Sequence, residues 1–237
     1  MSLSFIVTSD LHFTPDGPRE DKKNDMELIK TICQSKQQID AVLVVGDLTH
    51  SGQDGASCCG YAYGGKEDQL GAFKKEFVEE LEKVTDLHLC LGDRDHRGPW
   101  WRRSVVNYVA KREGGQRYYF DLKGVRFICL GLFPDIISRM LLKSWLSCEI
   151  PNVIYFHFNP MGAFSSWWSE SDKQAFYNII NAKCEFGNKY EILCLVCGHW
   201  QETYDSYWNG IRVLSGAGKG FLKATFSGTT LQVTRVV

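Results

Sequence analysis

The sequence predicts an α/β fold, and three observations predict it. Apolar runs of strand length recur along the chain, helix-patterned segments lie between many of them, and five of the runs end in Asp or His. The clearest run is Ile39-Asp40-Ala41-Val42-Leu43-Val44-Val45, which stops at Gly46-Asp47. A continuous apolar run bounded by turn residues reads as a strand buried on both faces. Gly46 permits a sharp exit, and Asp47 then stands at the carboxyl end of a central strand, where open α/β sheets place ligands.

Taken in order, residues 3–9 read as the first strand and deliver Asp10-Leu11-His12. Pro15, Gly17 and Pro18 make a loop. From about Lys22 to Lys36, Met26, Ile29, Ile32 and Cys33 recur at helical spacing, so a helix should pack on the sheet. With the 39–46 strand it forms a βαβ unit, expected to be right-handed. Residues 51–65 are Gly-rich and read as a long loop without a packed element, facing substrate beside Asp47. Residues 67–84 predict a second helix, with Leu70, Phe73, Phe77, Leu81 and Val84 on one face.

The run Leu87-His88-Leu89-Cys90-Leu91 then delivers Gly92-Asp93-Arg94-Asp95-His96. Pro99-Trp100-Trp101-Arg102-Arg103 precedes a helix around Val105 to Arg112. Aromatic and Arg side by side suit base stacking or ordinary loop packing, and a lone patch gives nucleic acid little support. Residues 118–122 and 125–130, joined by Lys123-Gly124, read as a hairpin. A helix from about Ile136 to Ser147 follows, then a strand that ends at His157. The loop from Asn159 to Ser169 carries Gly162, Phe164, Trp167 and Trp168. Adjacent Trp residues are hard to bury together, so they wall a pocket, form a partner patch, or place one ring in the core. Residues 170–183 read as a helix with Phe176, Ile179 and Ile180 inward. The 192–197 run delivers Gly198-His199-Trp200-Gln201, and the remainder reads as hairpins.

The composition is that of an ordinary globular protein: 237 residues, 44% hydrophobic, 23% charged and a net charge of −1. One domain over 1–237 is expected, because the candidate ligands spread from residue 10 to residue 201. The near-neutral balance offers neither nucleic acid nor a membrane surface a global field. No apolar stretch is long enough to span a membrane, and the first run is too short for a signal peptide. Nine cysteines are an odd number, and Cys90, Cys129, Cys194 and Cys197 lie in apolar runs. They read as buried reduced thiols in a cytoplasmic protein. Cys194 and Cys197 have the spacing of a redox or zinc pair, but no second pair lies near, so core thiols are expected. Cys58-Cys59 are too close in sequence to pair readily with each other.

If the sheet gathers the five strand ends, the cluster holds three carboxylates, three imidazoles and an amide: Asp10, Asp47, Asp93, His12, His157, His199 and Gln201. Such a nitrogen and oxygen set suits Mn, Fe or Zn. It exceeds the needs of one ion, so two divalent metal ions sharing Asp47 are expected.

The motifs, in this order and each after a strand, resemble those of the calcineurin-like metallophosphoesterases: Asp-x-His, Gly-Asp, Gly-Asn-His-Asp/Glu, a lone His, then Gly-His-x-His. The likeness covers nearly the whole chain. Asp93 and Arg94 stand where the family has Asn and His, and Gln201 where it has its last His. The resemblance implies two mixed β-sheets packed as a sandwich and flanked by helices. It implies one metal site from Asp10, His12, Asp47 and the Gln201 amide oxygen, and another from Asp47, Asp93, His157 and His199. The implied activity is hydrolysis of a phosphate ester, as a phosphatase or phosphodiesterase, on a phosphorylated small molecule or a phosphodiester.

In the family, the His of the third motif protonates the leaving group or holds phosphate charge. Arg94 suits only the second role, because a guanidinium does not give up its proton. His96, two residues on, is the candidate replacement acid, set against a plain surface-loop reading. His50 and His88 read as structural. The alternative function is a weak or inactive member of the fold acting as a protein-binding module through its Trp-rich loops, since some relatives with altered metal sites serve protein contact.

Overall fold

The structure is a computed structural model that describes residues 2–35, 38–52, 57–58, 61–62, 68–97, 103–162 and 165–237. The first half runs β1 (Ser2–Thr8), α1 (Glu20–Gln34), β2 (Ala41–Val45), β3 (Ser57–Cys58), β4 (Tyr61–Ala62), α2 (Gln69–Phe73), a π-helical turn (Lys74–Val78), α3 (Glu79–Leu81) and β5 (Asp86–Cys90). A 3₁₀ turn (Arg94–His96) and α4 (Ser104–Glu113) lead to β6 (Tyr118–Leu122), β7 (Val125–Cys129), α5 (Ile136–Trp145), β8 (Asn152–Tyr155) and α6 (Glu170–Ile180). The chain closes with β9 (Ile192–Cys197), β10 (Thr203–Trp208), β11 (Ile211–Gly216), β12 (Phe221–Ser227) and β13 (Thr230–Val236).

Two mixed sheets result. One has five strands in the order β13-β12-β1-β2-β5, and the other six in the order β10-β11-β9-β8-β7-β6. Strands β1, β2 and β5 are mutually parallel, as are β7, β8, β9 and β11, while the outer hairpin strands run antiparallel. Parallel neighbours point their carboxyl ends the same way, which gathers the loops that follow them.

The β2 sequence explains its place. Val42 and Val44 pack with Ile29, Phe77 and Leu89 against α1 and the 69–81 helix. Ala41, Leu43 and Val45 face the second sheet and meet Phe127, Val153 and Cys194. The far face of that sheet, with Ile128, Ile154 and Leu195, is covered by Leu142 of α5 and Phe176 and Ile180 of α6. The layers are therefore helix, sheet, sheet, helix. Each fully buried Val or Leu is worth about 1.5–3 kcal/mol, and the strand is apolar throughout because both its faces are covered.

Local signals set the helix starts. Asp135 accepts the Ser138 N–H at the start of α5, and Ser169 accepts the Asp172 N–H at the start of α6. Lys22 of α1 is fully buried, which its sequence position does not suggest. Its ammonium donates to the carbonyls of Gly216 at 2.6 Å and Gly220 at 3.1 Å, tying α1 to the last strands. Burial lowers it to about 8.

Several expectations are adjusted. The Gly-rich stretch holds a short antiparallel ribbon, β3 with β4, rather than no element at all. The 67–84 helix spans 69–81 and changes to π-helical winding at its centre, and Val84 lies exposed in the turn beyond it. Of the Trp pair, Trp168 is 2% exposed and Trp167 is 57% exposed, so one ring is core and its neighbour is surface. Cys90, Cys129, Cys194 and Cys197 are buried free thiols. Cys59, Trp100, Trp101, Arg102 and Phe164 lie outside the described residues. Among the described residues no helix is long and apolar enough to cross a membrane.

Candidate metal centre

The loops after β1, β2 and β5 come from one sheet and those after β8 and β9 from the other. They meet at the shared carboxyl-end rim. There the ligand atoms of Asp10, His12 and Asp47 lie within 4.8 Å of one another, and so do those of Asp47, Asp93, His157 and His199. Asp47 belongs to both groups.

The backbone is bent to make this possible. Asp10, His12, Asp47, His199 and Gln201 all adopt left-handed conformations, with φ of 56°, 46°, 51°, 67° and 43°. Such a conformation costs a non-glycine residue about 1–3 kcal/mol and persists only where surroundings hold it. Here the holding bonds run between strand ends: the Asp10 N–H donates to Gly46 O at 3.0 Å, and the His12 N–H to Asp47 O at 2.9 Å. Close approach also needs glycine. A Cβ on Gly46 would stand 2.3 Å from His157 Nδ1, and one on Gly92 would stand 2.1 Å from the Asp47 nitrogen.

A second set of contacts aims the ligands. The His157 ring faces Val45 O with Nδ1 at 2.9 Å, a bond that places the proton on Nδ1 and turns the bare Nε2 toward the cluster. The Ser9 hydroxyl stands between Asp10 Oδ2 and Val45 O and gives its one proton to either, and the His199 N–H donates to Asp10 Oδ2 at 2.9 Å. The Arg94 N–H donates to Asp47 Oδ1 at 3.0 Å, and Arg97 Nη2 donates to Asp93 Oδ2 at 2.7 Å. Asp95, which the sequence reading assigned no role, is fully buried and accepts from the N–H groups of Leu48, Thr49 and Gly92. It locks the loop of Asp47 to the loop of Asp93. Its signal in the sequence was its place at the end of the third motif.

The donor set fits divalent ions. Asp10 Oδ1, both His12 nitrogens, Asp93 Oδ1 and His157 Nε2 are shielded from solvent and have no hydrogen-bond partner. Buried polar atoms are rarely left so, and this many in one place fit a cation as their common partner. Separations agree. His157 Nε2 lies 3.4 Å from Asp47 Oδ1 and 3.5 Å from Asp93 Oδ1, and His199 Nδ1 lies 3.3 Å from Asp93 Oδ1. His12 Nε2 lies 3.7 Å from Asp10 Oδ1 and 3.8 Å from Asp47 Oδ2. These are long for hydrogen bonds. Two ligand atoms bound to one ion at about 2.1 Å in tetrahedral geometry stand about 3.4 Å apart.

Electrostatics point the same way. Burial, helped by the Asp10, Asp95 and Asp93 charges and against His157, raises the Asp47 carboxyl. Burial works to lower His157, but Asp47, Asp93 and Asp10 outweigh it and raise the imidazole. Burial opposes ionisation of Asp93 as well, yet His157, His199 and Arg97 outweigh it and hold that carboxyl well below the usual range. Burial lowers His12 to about 4, with Arg19 and Arg94 adding to it against Asp10, so this imidazole is neutral and able to ligate at pH 7.

Two depressions open on the cluster. One, of about 290 Å³, is lined by Asp47, Asp93, Arg94, Arg97, His199 and Gln201. The other, of about 230 Å³, is lined by His12, Thr14, Arg19, His50, Arg94 and Gln201. Gln201 is exposed and stands on both walls, and Arg94 Nε lies 3.7 Å from Asp47 Oδ2. His96 is half-buried and lines neither depression. His50 faces the His12 ring at a centroid distance of 6.1 Å, so it sits at the site rather than serving structure alone. Pairing of Phe13 with Thr49 brings it there. His88 is structural, stacked on Phe120 at 3.6 Å. Trp167 stacks on Phe158 at 5.3 Å and meets the His199 ring edge-on at 5.9 Å, forming part of the rim.

Comparison with known proteins agrees with the geometry. The chain matches the family model for calcineurin-like phosphoesterases over residues 3–202. No curated protein matches it. Among solved structures it is similar to GAP50, described as the anchor in the inner membrane complex of Plasmodium. That match has 14% identity and a TM-score of 0.66, covering 99% of this chain and 84% of the other. It is also similar to a Staphylococcus aureus protein named as a candidate 5′-nucleotidase, at 13% identity and a TM-score of 0.56, covering 99% of this chain and 53% of the other. Vacuolar Protein Sorting 29 from Cryptosporidium parvum matches at 12% identity and a TM-score of 0.47, covering 99% and 97%. At these identities the likeness is one of fold, and the family match over most of the length carries the assignment: the chain belongs to the calcineurin-like phosphoesterase family.

Proposed function

We propose that the protein hydrolyses phosphate esters at a centre of two divalent metal ions. Asp10, His12 and Asp47, with the Gln201 amide, would hold the first ion, and Asp47, Asp93, His157 and His199 the second. The observation that carries this reading is the sharing of Asp47 by two groups of buried ligand atoms, several without a hydrogen-bond partner. Bound Mn, Fe or Zn ions supply Lewis-acid polarisation of the phosphoryl oxygens and acidify water.

The remaining work falls to the chain. Arg94 stands on the wall of both depressions and offers a fixed charge to phosphate oxygens. It cannot donate a proton to a departing alkoxide. His96 lines neither depression, so the substrates best served are those whose leaving group is already acidic. Both sheets supply ligands to one centre, which supports one domain over 1–237. Seven free thiols among the described residues support a cytoplasmic setting.

The test is manganese-loaded protein assayed with p-nitrophenyl phosphate and bis(p-nitrophenyl) phosphate beside Asp47→Ala. Turnover that needs both metal and Asp47 supports the reading, and metal-independent turnover or none defeats it. A protein-binding role is the second reading. It is favoured by the exposed apolar surface of Ile136, Ile137 and Met140 on α5 together with exposed Trp167. Metal occupancy with no turnover on any ester would favour it.

A further inference from the structure

We infer that the depression walled by Arg19 and His50 binds a second phosphoryl group of the substrate, next to the one at the metal centre. The substrate class is then a diphosphate or closely spaced bisphosphate ester. This rests on the phosphoesterase reading and goes on to what that centre selects.

The two depressions differ in charge. The larger is floored by Asp47 and Asp93. Among the described residues the smaller has no carboxylate on its wall: its lining is Arg19, Arg94, His12, His50, Thr14 and Gln201. Two guanidinium cations beside hydroxyl, amide and imidazole groups, with no acid among the described lining residues, make an anion site. At about 230 Å³ it is smaller than the roughly 300–1,000 Å³ of pockets that hold drug-sized ligands. It suits a compact group such as a phosphoryl rather than a base or a sugar. Arg94 and Gln201 stand on both walls, so a group in either depression meets the same side chains, and two linked phosphoryl groups would straddle Arg94.

Arg19 is set for the task. Its Nη2 donates to Ala217 O at 3.0 Å and to Asp21 Oδ2 at 2.9 Å, and its Nε faces Asp21 Oδ1. These contacts fix the guanidinium from one side. Its remaining nitrogen, Nη1, is shielded from solvent and has no hydrogen-bond partner among the described residues. Arg19 is partly exposed and lines the depression, so a guanidinium with one nitrogen unpartnered among the described residues has donor capacity left for an anion there. Among the described residues Asp21 is the carboxylate paired with Arg19, and it lies on the exposed side. Arg19 is not in either group of candidate ligands, although its charge adds to the lowering of His12, so metal content must be followed beside probe binding.

The test is calorimetric binding of two non-hydrolysable probes, methylenediphosphonate and methylphosphonate, to manganese-loaded protein, with metal content measured on the same samples. Comparing variants with one probe cancels the probe's own affinity for manganese. Arg19→Gln should weaken methylenediphosphonate about tenfold or more while leaving methylphosphonate within about twofold. Asp21→Asn, which removes an exposed acid and no ligand, should tighten methylenediphosphonate alone. Equal losses for both probes in Arg19→Gln would overturn the inference, as would no change for either, with the phosphoesterase reading intact. Wild-type protein that takes up no manganese would overturn that reading and this inference together.

Discussion

The two halves of the cluster are built unequally. The half around His157 and His199 has two imidazoles and two carboxylates, with His157 aimed by Val45 O and Asp93 held ionised by its partners. The half around His12 has one imidazole and two carboxylates, and in the proposed site its fourth position would fall to Gln201, an exposed amide. An amide oxygen is a weaker donor than imidazole, and the exposed side chain is not fixed by packing. The same departures that remove a ligand and an acid also place Arg94 and Gln201 on the walls of both depressions. On the proposed two-metal reading, the contrast assigns tight ion binding to the first half and weaker, more accessible binding to the second.

The largest effect should come from the residue the halves share. Asp47→Ala should abolish uptake of both ions and lower turnover at least about a thousandfold, since Lewis-acid stabilisation is worth several kcal/mol. Elemental analysis and initial rates check this. Loss of one ion alone would mean that Asp47 does not bridge.

Next is the missing acid. Without an effective general acid, aryl esters of acidic phenols should react well and alkyl esters poorly. General acid catalysis contributes about a hundredfold to ten-thousandfold, so Arg94→His should raise alkyl ester turnover by up to about a hundredfold and flatten the dependence. A shallow dependence in unmodified protein that is lost in His96→Ala would instead assign the proton to His96.

Much of this was legible before the fold. Asp10, His12, Asp47, Asp93, His157 and His199 each follow an apolar strand, and parallel strands place their following loops on one rim, so pattern and topology agree. Gly46 and Gly92 were visible as turn residues, although their close contacts with His157 and Asp47 were not. Asp95 was visible at the end of the third motif but not the loop it locks, and Ser9 and Val45 were illegible because their work depends on which loop stands opposite. The same is true of Arg19 and His50: the smaller depression joins residues 12–19, 50, 94 and 201, and no single stretch of sequence carries it. The π-helical turn at Lys74–Val78 also has no signal in a pattern that fits ordinary helix equally well.

The halves should also differ in their response to pH. In metal-free protein the acids around His157 raise its imidazole above 6.5. That group therefore contributes its full stability below 6.5, and the contribution is lost as pH rises through the raised value. Ion binding needs the neutral ring, so manganese affinity at this half should rise with pH by up to about tenfold per unit while the ring still carries its proton. His12, already lowered to about 4, adds no titration of its own over the same range, so the rise at its half should be smaller and come through the shared Asp47, which burial raises. Melting temperatures in EDTA and in manganese from about pH 6 to 9 check the sign: the metal-free curve should fall while the metal increment grows. A metal increment independent of pH would contradict it.

The smallest effect is expected from Gln201→His, which restores imidazole to the weaker half. It should tighten only the weaker ion, by about tenfold, the low end of what ligand-shell changes achieve. Tightening of both ions would mean that the halves are not independent.

The most direct measurement is a calorimetric titration of metal-free protein with manganese. The account predicts two ions per chain in two resolved classes, with the tighter class lost in His157→Ala and the weaker retained. A single class of two equal sites, or uptake that survives Asp47→Ala, would contradict it.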